Sequence, residues 1–272
     1  MERRRIDRRH AQRRQDVDFD DVIYGVHAVE EALSAGEELR NIHVADERRR
    51  DPALRKLLQE ARERKIFVKF EDRNYFTRFP YKAHQGVIAF GAPFEYVTLD
   101  DILATRAEDP LLIAILDHVT DPHNVGAIIR SAECAGANGV IMPERRAAGV
   151  NATVRKAAAG AAAHLPIARV TNVADAIRKL KKAGIWIAGA HADPSSVELT
   201  QADFNRDLAI VIGAEGTGLA QLVRRECDYL VKIPMRGKIE SLNASVAAGV
   251  LLFEAVRQRE AAQRRGHASS PS

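Results

Sequence analysis

Two α/β domains, the second built on a parallel sheet with helices on both faces, are what this sequence predicts. Three observations lead there. Beyond residue 110, strand-length apolar runs at 111–116, 139–142, 167–170, 185–189, 208–212 and 229–233 alternate with helical segments. Such alternation belongs to parallel sheets covered by helices. Runs such as Leu111-Leu-Ile-Ala-Ile-Leu116 and Leu208-Ala-Ile-Val-Ile212 are apolar at every position, the pattern of a strand buried on both faces. The second of these then breaks into Gly213, Gly216 and Gly218 around Glu215 before helical periodicity resumes at Leu219. Glycines at a strand end let backbone come close to a ligand, and α/β sheets bind ligands beyond the carboxyl ends of their strands.

Composition sets the outer bounds. The chain has 272 residues, 46% of them hydrophobic and 29% charged, enough for two modest domains with real cores. No apolar run approaches the roughly 18 residues needed to span a bilayer, so no membrane partner is expected. Arg3, Arg4, Arg5, Arg8, Arg9, Arg13 and Arg14 have no apolar stretch behind them, which argues against a secretory signal, and Asp7, Asp16 and Asp18 argue against a transit peptide. A cytoplasmic protein is expected. Cys134 and Cys227 lie far apart without a C-x-x-C pair, so two free thiols packed on helices are expected rather than a disulfide. The histidines are scattered and suggest no metal site. The net charge of +4 is modest, but the N-terminal arginines and Arg257, Arg259, Arg264 and Arg265 concentrate it at the two ends. That fits an electrostatic footprint for nucleic acid and equally a solvated tail; charge leans toward RNA or DNA without deciding.

In chain order, residues 1–20 read as a disordered basic tail. A small α/β domain follows over 21–91. It has a helix on Val26, Val29 and Leu33 ending near Gly36, a short strand at 42–44, and a helix opened by Asp51-Pro52 with Leu54, Leu57, Leu58 and Ala61 on one face. Strands at 66–70 and 86–90 complete it. It carries no catalytic-looking cluster and is expected to bind or scaffold. Residues 92–107 read as a linker with an amphipathic turn through Ile102 and Leu103. The second domain spans 108–262, with helices expected at 124–135, 151–162, 173–183, 219–227 and 244–259, and 263–272 read as a second tail.

Three loops after three strands carry polar groups that a core does not need. In the first, Asn124 is placed to cap a helix and Gly126 lets something approach its first turn. Arg130 shares a face with the small residues Gly126, Ala127 and Cys134, leaving room for a guanidinium; an ordinary surface arginine fits the same pattern. His118 and His123 are set aside as loop polar groups. The second loop, G-x-x-G-x-G, matches neither the dinucleotide order nor a P-loop, and Glu215 would repel a pyrophosphate. A carboxylate there favours a cationic or hydrogen-bonding ligand, and a tight turn with a solvated glutamate is the competing reading. In the third, residues 233–249, Ser241 or Asn243 caps a helix that opens on Ala244, Ala247, Ala248 and Gly249, small enough for close packing against a ligand, a helix or another subunit.

Taken together, N-x-G-x-x-x-R (Asn124 to Arg130), I-G-x-E-G-x-G-L (Ile212 to Leu219) and I-P-M-x-G-x-x-x-S-L-N-x-S-V-A (Ile233 to Ala247) closely resemble the three motifs of the SpoU (TrmH-like) family of RNA ribose 2′-O-methyltransferases. Tyr24-Gly-Val-His-Ala-Val and His84-Gln-Gly-Val resemble the substrate-binding domain of its 23S ribosomal RNA guanosine subgroup. The resemblance implies a trefoil-knotted parallel-sheet catalytic domain of SPOUT type behind a small N-terminal RNA-binding domain, acting as a homodimer. It implies S-adenosylmethionine as cofactor, bound by Gly213, Ile233, Met235, Ser241 and Leu242, with Asn124, Arg130, Glu215 and Asn243 as the catalytic neighbourhood. Arg130 has been proposed as the base in this family. A guanidinium deprotonates with great difficulty, so steadying the developing 2′-oxyanion is the preferred role. Guanosine of 23S ribosomal RNA is the expected target, with transfer RNA as runner-up. A nucleotide-binding oxidoreductase is a weaker alternative because no acid follows the glycine loop at the spacing that holds a ribose. A non-catalytic RNA-binding protein is weaker still, because the polar set is intact.

Overall fold

The computed structural model describes residues 22–34, 36, 38–77, 79, 84–91, 94–107 and 109–268. The N-terminal tail expectation and the last four residues of the C-terminal one lie outside these. The chain divides into two units, with the boundary between Pro93 and Phe94.

The first unit holds β1 (Val22–Tyr24), α1 (Val26–Ser34), β2 (Leu39–Ala45), α2 (Arg55–Glu63), β3 (Phe67–Glu71), α3 (Arg73–Phe76) and β4 (Val87–Gly91). Its sheet order is β1-β4-β2-β3, antiparallel except for the parallel β2–β3 pair. The period of two divides the side chains cleanly. Ile42 and Val44, paired with Ala89 and Val87, join Val29, Leu33, Leu54 and Leu57 of the helical face. His43, paired with Ile88, points the other way, into a cluster with Phe76, Phe79 and Phe90. There it stacks on Tyr75 at 4.8 Å and lies 3.0 Å from Glu71. Burial holds the His43 imidazole below its ordinary value of 6.5, against the opposing pull of Glu71. Asp51 caps a 3-10 turn over Pro52–Leu54 that leads into α2. β1 and α3 were not expected; three- and four-residue elements carry too little periodicity to read.

The second unit holds α4 (Leu99–Ala104), β5 (Leu112–Asp117), α5 (Pro122–Cys134), β6 (Gly139–Pro143), α6 (Ala152–Ala158), β7 (Ile167–Val170), α7 (Val173–Lys182), β8 (Trp186–Ala190), β9 (Val197–Glu198), β10 (Leu208–Gly213), α8 (Gln221–Glu226), β11 (Tyr229–Lys232) and α9 (Ala244–Ala268). The strands form one parallel seven-stranded sheet in the order β7-β6-β5-β10-β8-β11-β9. Leu112, Ala114 and Leu116 of β5 and Leu208, Ile210 and Ile212 of β10 face α5, α6 and α9. Ile113, Ile115, Ala209 and Val211 face α4, α7 and α8. The unbroken apolar runs are therefore strands covered on both sides.

Local readings shift in four places. The stretch expected to be a linker carries α4, opened by a Thr98–Asp101 capping box, and Leu99 and Ile102 enter the core. A Cβ on Gly139 would come within 2.7 Å of Ile102. Asp121, not Asn124, caps α5, with Pro122 behind it, because Asp-Pro supplies both the side-chain acceptor and the preset φ of a first turn. The helix α9 continues to Ala268, carrying residues 263–268 of the expected tail; Arg264 pairs with Glu260 one turn back. The C-terminal arginines are also largely committed within the fold. Arg259 is half-buried and donates to the carbonyls of Pro110, Leu111, Phe204 and Arg206, and Arg257 pairs with Glu254.

Candidate active site

Five strands end at one edge of the second unit's sheet in loops that matter here. They are β5 before Asn124, β6 before Glu144, β8 before His191, β10 before Glu215 and β11 before Ile233. Parallel pairing puts these loops on the same side, and Gly213 lies opposite Asp117 across the β5–β10 pair.

The glycine loop is a closed hairpin. Ala214 and Gly218 exchange backbone hydrogen bonds of 3.2 and 2.9 Å, and Gly216 and Gly218 sit at φ +76° and +66°. A Cβ on Gly213 would lie 2.3 Å from the carbonyl carbon of Gly218. This glycine first serves the loop's own closure, where the sequence suggested room for a ligand. Gly126 is corrected in the same way: a Cβ there would meet Ala157 at 2.5 Å and the Val154 carbonyl at 2.6 Å, so it is α6 that approaches the first turn of α5. The small face of that helix is thus partly a helix contact rather than space for Arg130.

Three of the expected residues meet. Asn124, buried at 5% exposure, donates from Nδ2 to Glu215 Oε1 at 2.8 Å. Asn243 donates from Nδ2 to Asn124 Oδ1 at 2.9 Å and to Glu215 Oε1 at 2.5 Å. Asn243 Oδ1 meanwhile accepts from Ser245 N and Val246 N, so Asn243 rather than Ser241 caps α9. One carboxylate oxygen thus ties together loops separated by over a hundred residues of chain. Among the described residues, Glu215 Oε2 has no hydrogen-bond partner. Arg130 is exposed and likewise has neither hydrogen bond nor ion pair among them; it does not bond to the three polar residues. Ile233 and Met235 are half-buried just beyond β11, and Ser241 and Leu242 are exposed immediately before Asn243.

Two residues the sequence reading passed over belong to the same edge. Asp117 is fully buried at the end of β5, accepting from Ala220 N at 2.6 Å and lying 2.6 Å from His118 Nδ1. It holds the exit of the glycine loop to the neighbouring strand; an acid closing an all-apolar strand was the available signal. His191 borders Gly218, at 3.4 Å from where a Cβ would stand. Cys134 is exposed rather than packed, and burial pushes the Cys227 thiol up to about 12. No group of three or more His, Cys, Asp or Glu that could hold a metal occurs among the described residues. No helix of them is long and apolar enough to cross a membrane.

A polar cluster gathered from three loops at the carboxyl edge of a parallel sheet, beside a backbone-lined glycine hairpin, marks a ligand-binding enzyme domain. The comparisons name the class. Residues 111–253 match the model of the SpoU rRNA methylase family, and residues 22–97 match that of the RNA 2′-O ribose methyltransferase substrate-binding domain. A 23S rRNA (guanosine-2′-O-)-methyltransferase, RlmB, of Pseudomonas syringae is 44% identical over 243 residues, 88% of this chain and 96% of that one. YacO of Bacillus subtilis, assigned to the TrmH family of tRNA/rRNA methyltransferases, is 40% identical over 242 residues with the same coverage. Among solved structures, the SpoU methyltransferase AviRb of Streptomyces viridochromogenes in complex with AdoMet aligns with a TM-score of 0.57 and 29% identity, covering 88% of this chain and 90% of that one. An AdoMet-bound rRNA methyltransferase of Sinorhizobium meliloti aligns at 0.54 and 28%, covering 87% and 86%. The chain belongs to the SpoU family of RNA methyltransferases. It is an enzyme of the class that moves a methyl group from S-adenosylmethionine to an RNA ribose 2′-oxygen.

Proposed function

We propose that this enzyme methylates the ribose of a guanosine in 23S ribosomal RNA, with Asn124, Arg130, Glu215 and Asn243 around the sugar and Gly213, Ile233, Met235, Ser241 and Leu242 around the methyl donor. The observation that carries the reading is the hydrogen-bonded set Asn124–Glu215–Asn243, drawn from all three motifs. The guanosine assignment is supported by the Pseudomonas relative, with transfer RNA as the outcome to be tested against it.

The residues suit a cationic nucleoside donor. Leu242 and Ile239 expose apolar surface, Ile233 and Met235 of the same loop are half-buried, and exposed Glu215 brings a carboxylate to the polar cluster. Bound there, S-adenosylmethionine supplies an electrophilic methyl group on a positively charged sulfur. The chain's own task is then to position the ribose and manage its hydroxyl proton. The two amides fix Glu215 through Oε1, leaving Oε2 to accept a ribose hydroxyl. Arg130, which has no partner among the described residues, steadies the developing 2′-oxyanion and an adjoining phosphate.

Two further parts complete the proposal. Val246, Val250 and Phe253 are exposed at spacings of four and three, one stripe of α9 opposite the buried Ala248, Leu251, Leu252 and Ala255, and exposed Leu242 lies just before the helix. A second copy of the chain covers that stripe, giving a homodimer. The return of the chain after β11 to Asn124 and Glu215 is consistent with the trefoil knot that the motifs imply, and the enzyme works in the cytoplasm.

The test is transfer of tritiated methyl from S-adenosylmethionine to ribosomal and transfer RNA, with ribose methylations mapped in a deletion strain. The expected result is loss of one guanosine 2′-O-methylation in 23S RNA. Arg130→Ala should keep cofactor binding and lose about 10²-fold or more in transfer. Turnover at the normal rate in that variant removes Arg130 from the mechanism.

A further inference from the structure

Several arginines of the second unit are already paired. Arg106 meets Asp207, Arg178 meets Asp175 and Glu226, half-buried Arg206 meets Asp203, Arg224 meets Asp193, and Arg264 meets Glu260. Arg130, Arg225, Arg236, Arg145 and Arg146 are exposed without a partner among the described residues, and of these Arg145 and Arg146 alone are neighbours in the chain. Both are exposed on the loop after β6, and neither has a hydrogen bond or an ion pair among the described residues. Glu144 beside them is engaged elsewhere: its Oε2 accepts from Thr171 and its carbonyl accepts from Arg169.

The loop is fixed on both sides. Glu144 N donates to the Val170 carbonyl at 2.9 Å, Val150 N donates to the Tyr96 hydroxyl at 2.8 Å, and Val150 is buried. Between these anchors Arg146 holds a left-handed backbone at φ +59°, a region that side-chain-bearing residues seldom adopt. Ala148 N donates to the Val119 carbonyl at 3.3 Å, which binds this loop to the one that leads into Asn124. Two adjacent guanidiniums are thus carried, without internal anions, on a loop bonded to the Asn124 loop.

We propose that Arg145 and Arg146 form a phosphate-binding site for the target RNA strand, gripping the backbone beside the methylated nucleotide. This rests on the RNA methyltransferase reading above. Guanidiniums are suited to phosphate oxygens, and contacts to phosphate position a strand without reading its sequence. Each phosphate neutralised releases counterions, so such contacts have a signature in salt. The site would set how tightly the substrate strand is held rather than how the methyl donor is bound.

The test compares the full-length protein with Arg145→Ala/Arg146→Ala and with Arg145→Lys/Arg146→Lys, using an unmodified 23S ribosomal RNA transcript. Affinity is measured by fluorescence anisotropy between 50 and 200 mM salt, S-adenosylmethionine affinity by calorimetry, folding by thermal melting, and oligomeric state by sedimentation. The expected result for the alanine pair is about tenfold weaker RNA binding and a log–log salt slope shallower by about 1 to 2, with cofactor affinity, melting and oligomeric state unchanged. The lysine pair should keep the slope. An unchanged slope overturns the proposal. So does a parallel loss of cofactor affinity, which would make the loop a wall of the donor site, or loss of dimers, which would make the arginines partners of a second copy's acids. If the wild type binds RNA but transfers no methyl group to it, the proposed function fails while the salt slope still decides this site.

Discussion

Asn243 performs two tasks that substitution can separate. Its Oδ1 caps α9 through Ser245 N at 2.9 Å and Val246 N at 3.3 Å, while its Nδ2 donates to Asn124 and Glu215. Asn243→Ala removes both. The lost cap costs about 1 kcal/mol. Asn124 Oδ1, on a side chain that water barely reaches, loses its donor at a cost of about 1–3 kcal/mol. The sum is about 2–4 kcal/mol. Asn243→Asp keeps an acceptor at the helix N-terminus, where negative charge is favoured. It cannot donate, however, and it sets a second carboxylate against Glu215. The alanine variant should lose about 2–4 kcal/mol against wild type in denaturant unfolding, while the aspartate variant keeps the cap, worth about 1 kcal/mol, and loses part of it again to repulsion by Glu215. Methyl transfer should fall in both by about 10²-fold, because both break the three-loop cluster. An aspartate variant within a few-fold of wild-type turnover would refute the role given to the cluster. An alanine variant as stable as the wild type would refute the cap.

Three other outcomes follow from the same coordinates. Gly213→Ala drives a Cβ to 2.3 Å from Gly218, so the hairpin must open, at a cost of about 1–3 kcal/mol in unfolding; calorimetry on the folded variant should show S-adenosylmethionine affinity falling at least tenfold, and retained affinity would mean that the loop yields without consequence. Arg259→Met removes one donor from each of four carbonyls, of which that of Leu111 keeps Leu208 N, and should cost about 3 kcal/mol in unfolding without altering the salt slope of RNA binding, whereas a flattened slope would return Arg259 to the RNA surface. His43 titrates below its ordinary 6.5 because burial disfavours the imidazolium, so below that pH the unfolded chain binds the extra proton. Its contribution to the first unit is full above pH 6.5 and is lost as pH falls through the lower folded value. Hydrogen exchange of the β2 amides should thus quicken between pH 7.5 and 5.5 after correction for intrinsic rates, and His43→Gln should remove most of that dependence.

Much of this molecule is legible as sequence because it is local. The all-apolar runs around Ile113 and Ile210 could only be strands covered on two faces, and Asn172 and Asn151 mark helix starts where the chain turns. The three motifs identified the family, since glycines, an acid and an asparagine at those spacings are rarely found together. Harder were the short elements: β1, β9 and α3 are too brief for a period to show, and α4 looked like linker until its Leu99 and Ile102 had a sheet to pack on.

What no spacing could reveal is which surface a small or charged residue faces. Gly213 and Gly126 advertise missing side chains, but only the folded chain shows that Gly218 and α6 fill the space. Arg259 and Arg145 look alike in a basic sequence; one is half-buried and bonded to four carbonyls, while the other has no anion among the described residues, a difference set by neighbours from distant segments. The sequence by itself determined the longer strands and helices and the family. Tertiary structure decided that Asn124, Glu215 and Asn243 share one carboxylate oxygen, because hydrogen bonds across a hundred residues exist only once parallel pairing brings the strand ends to one edge.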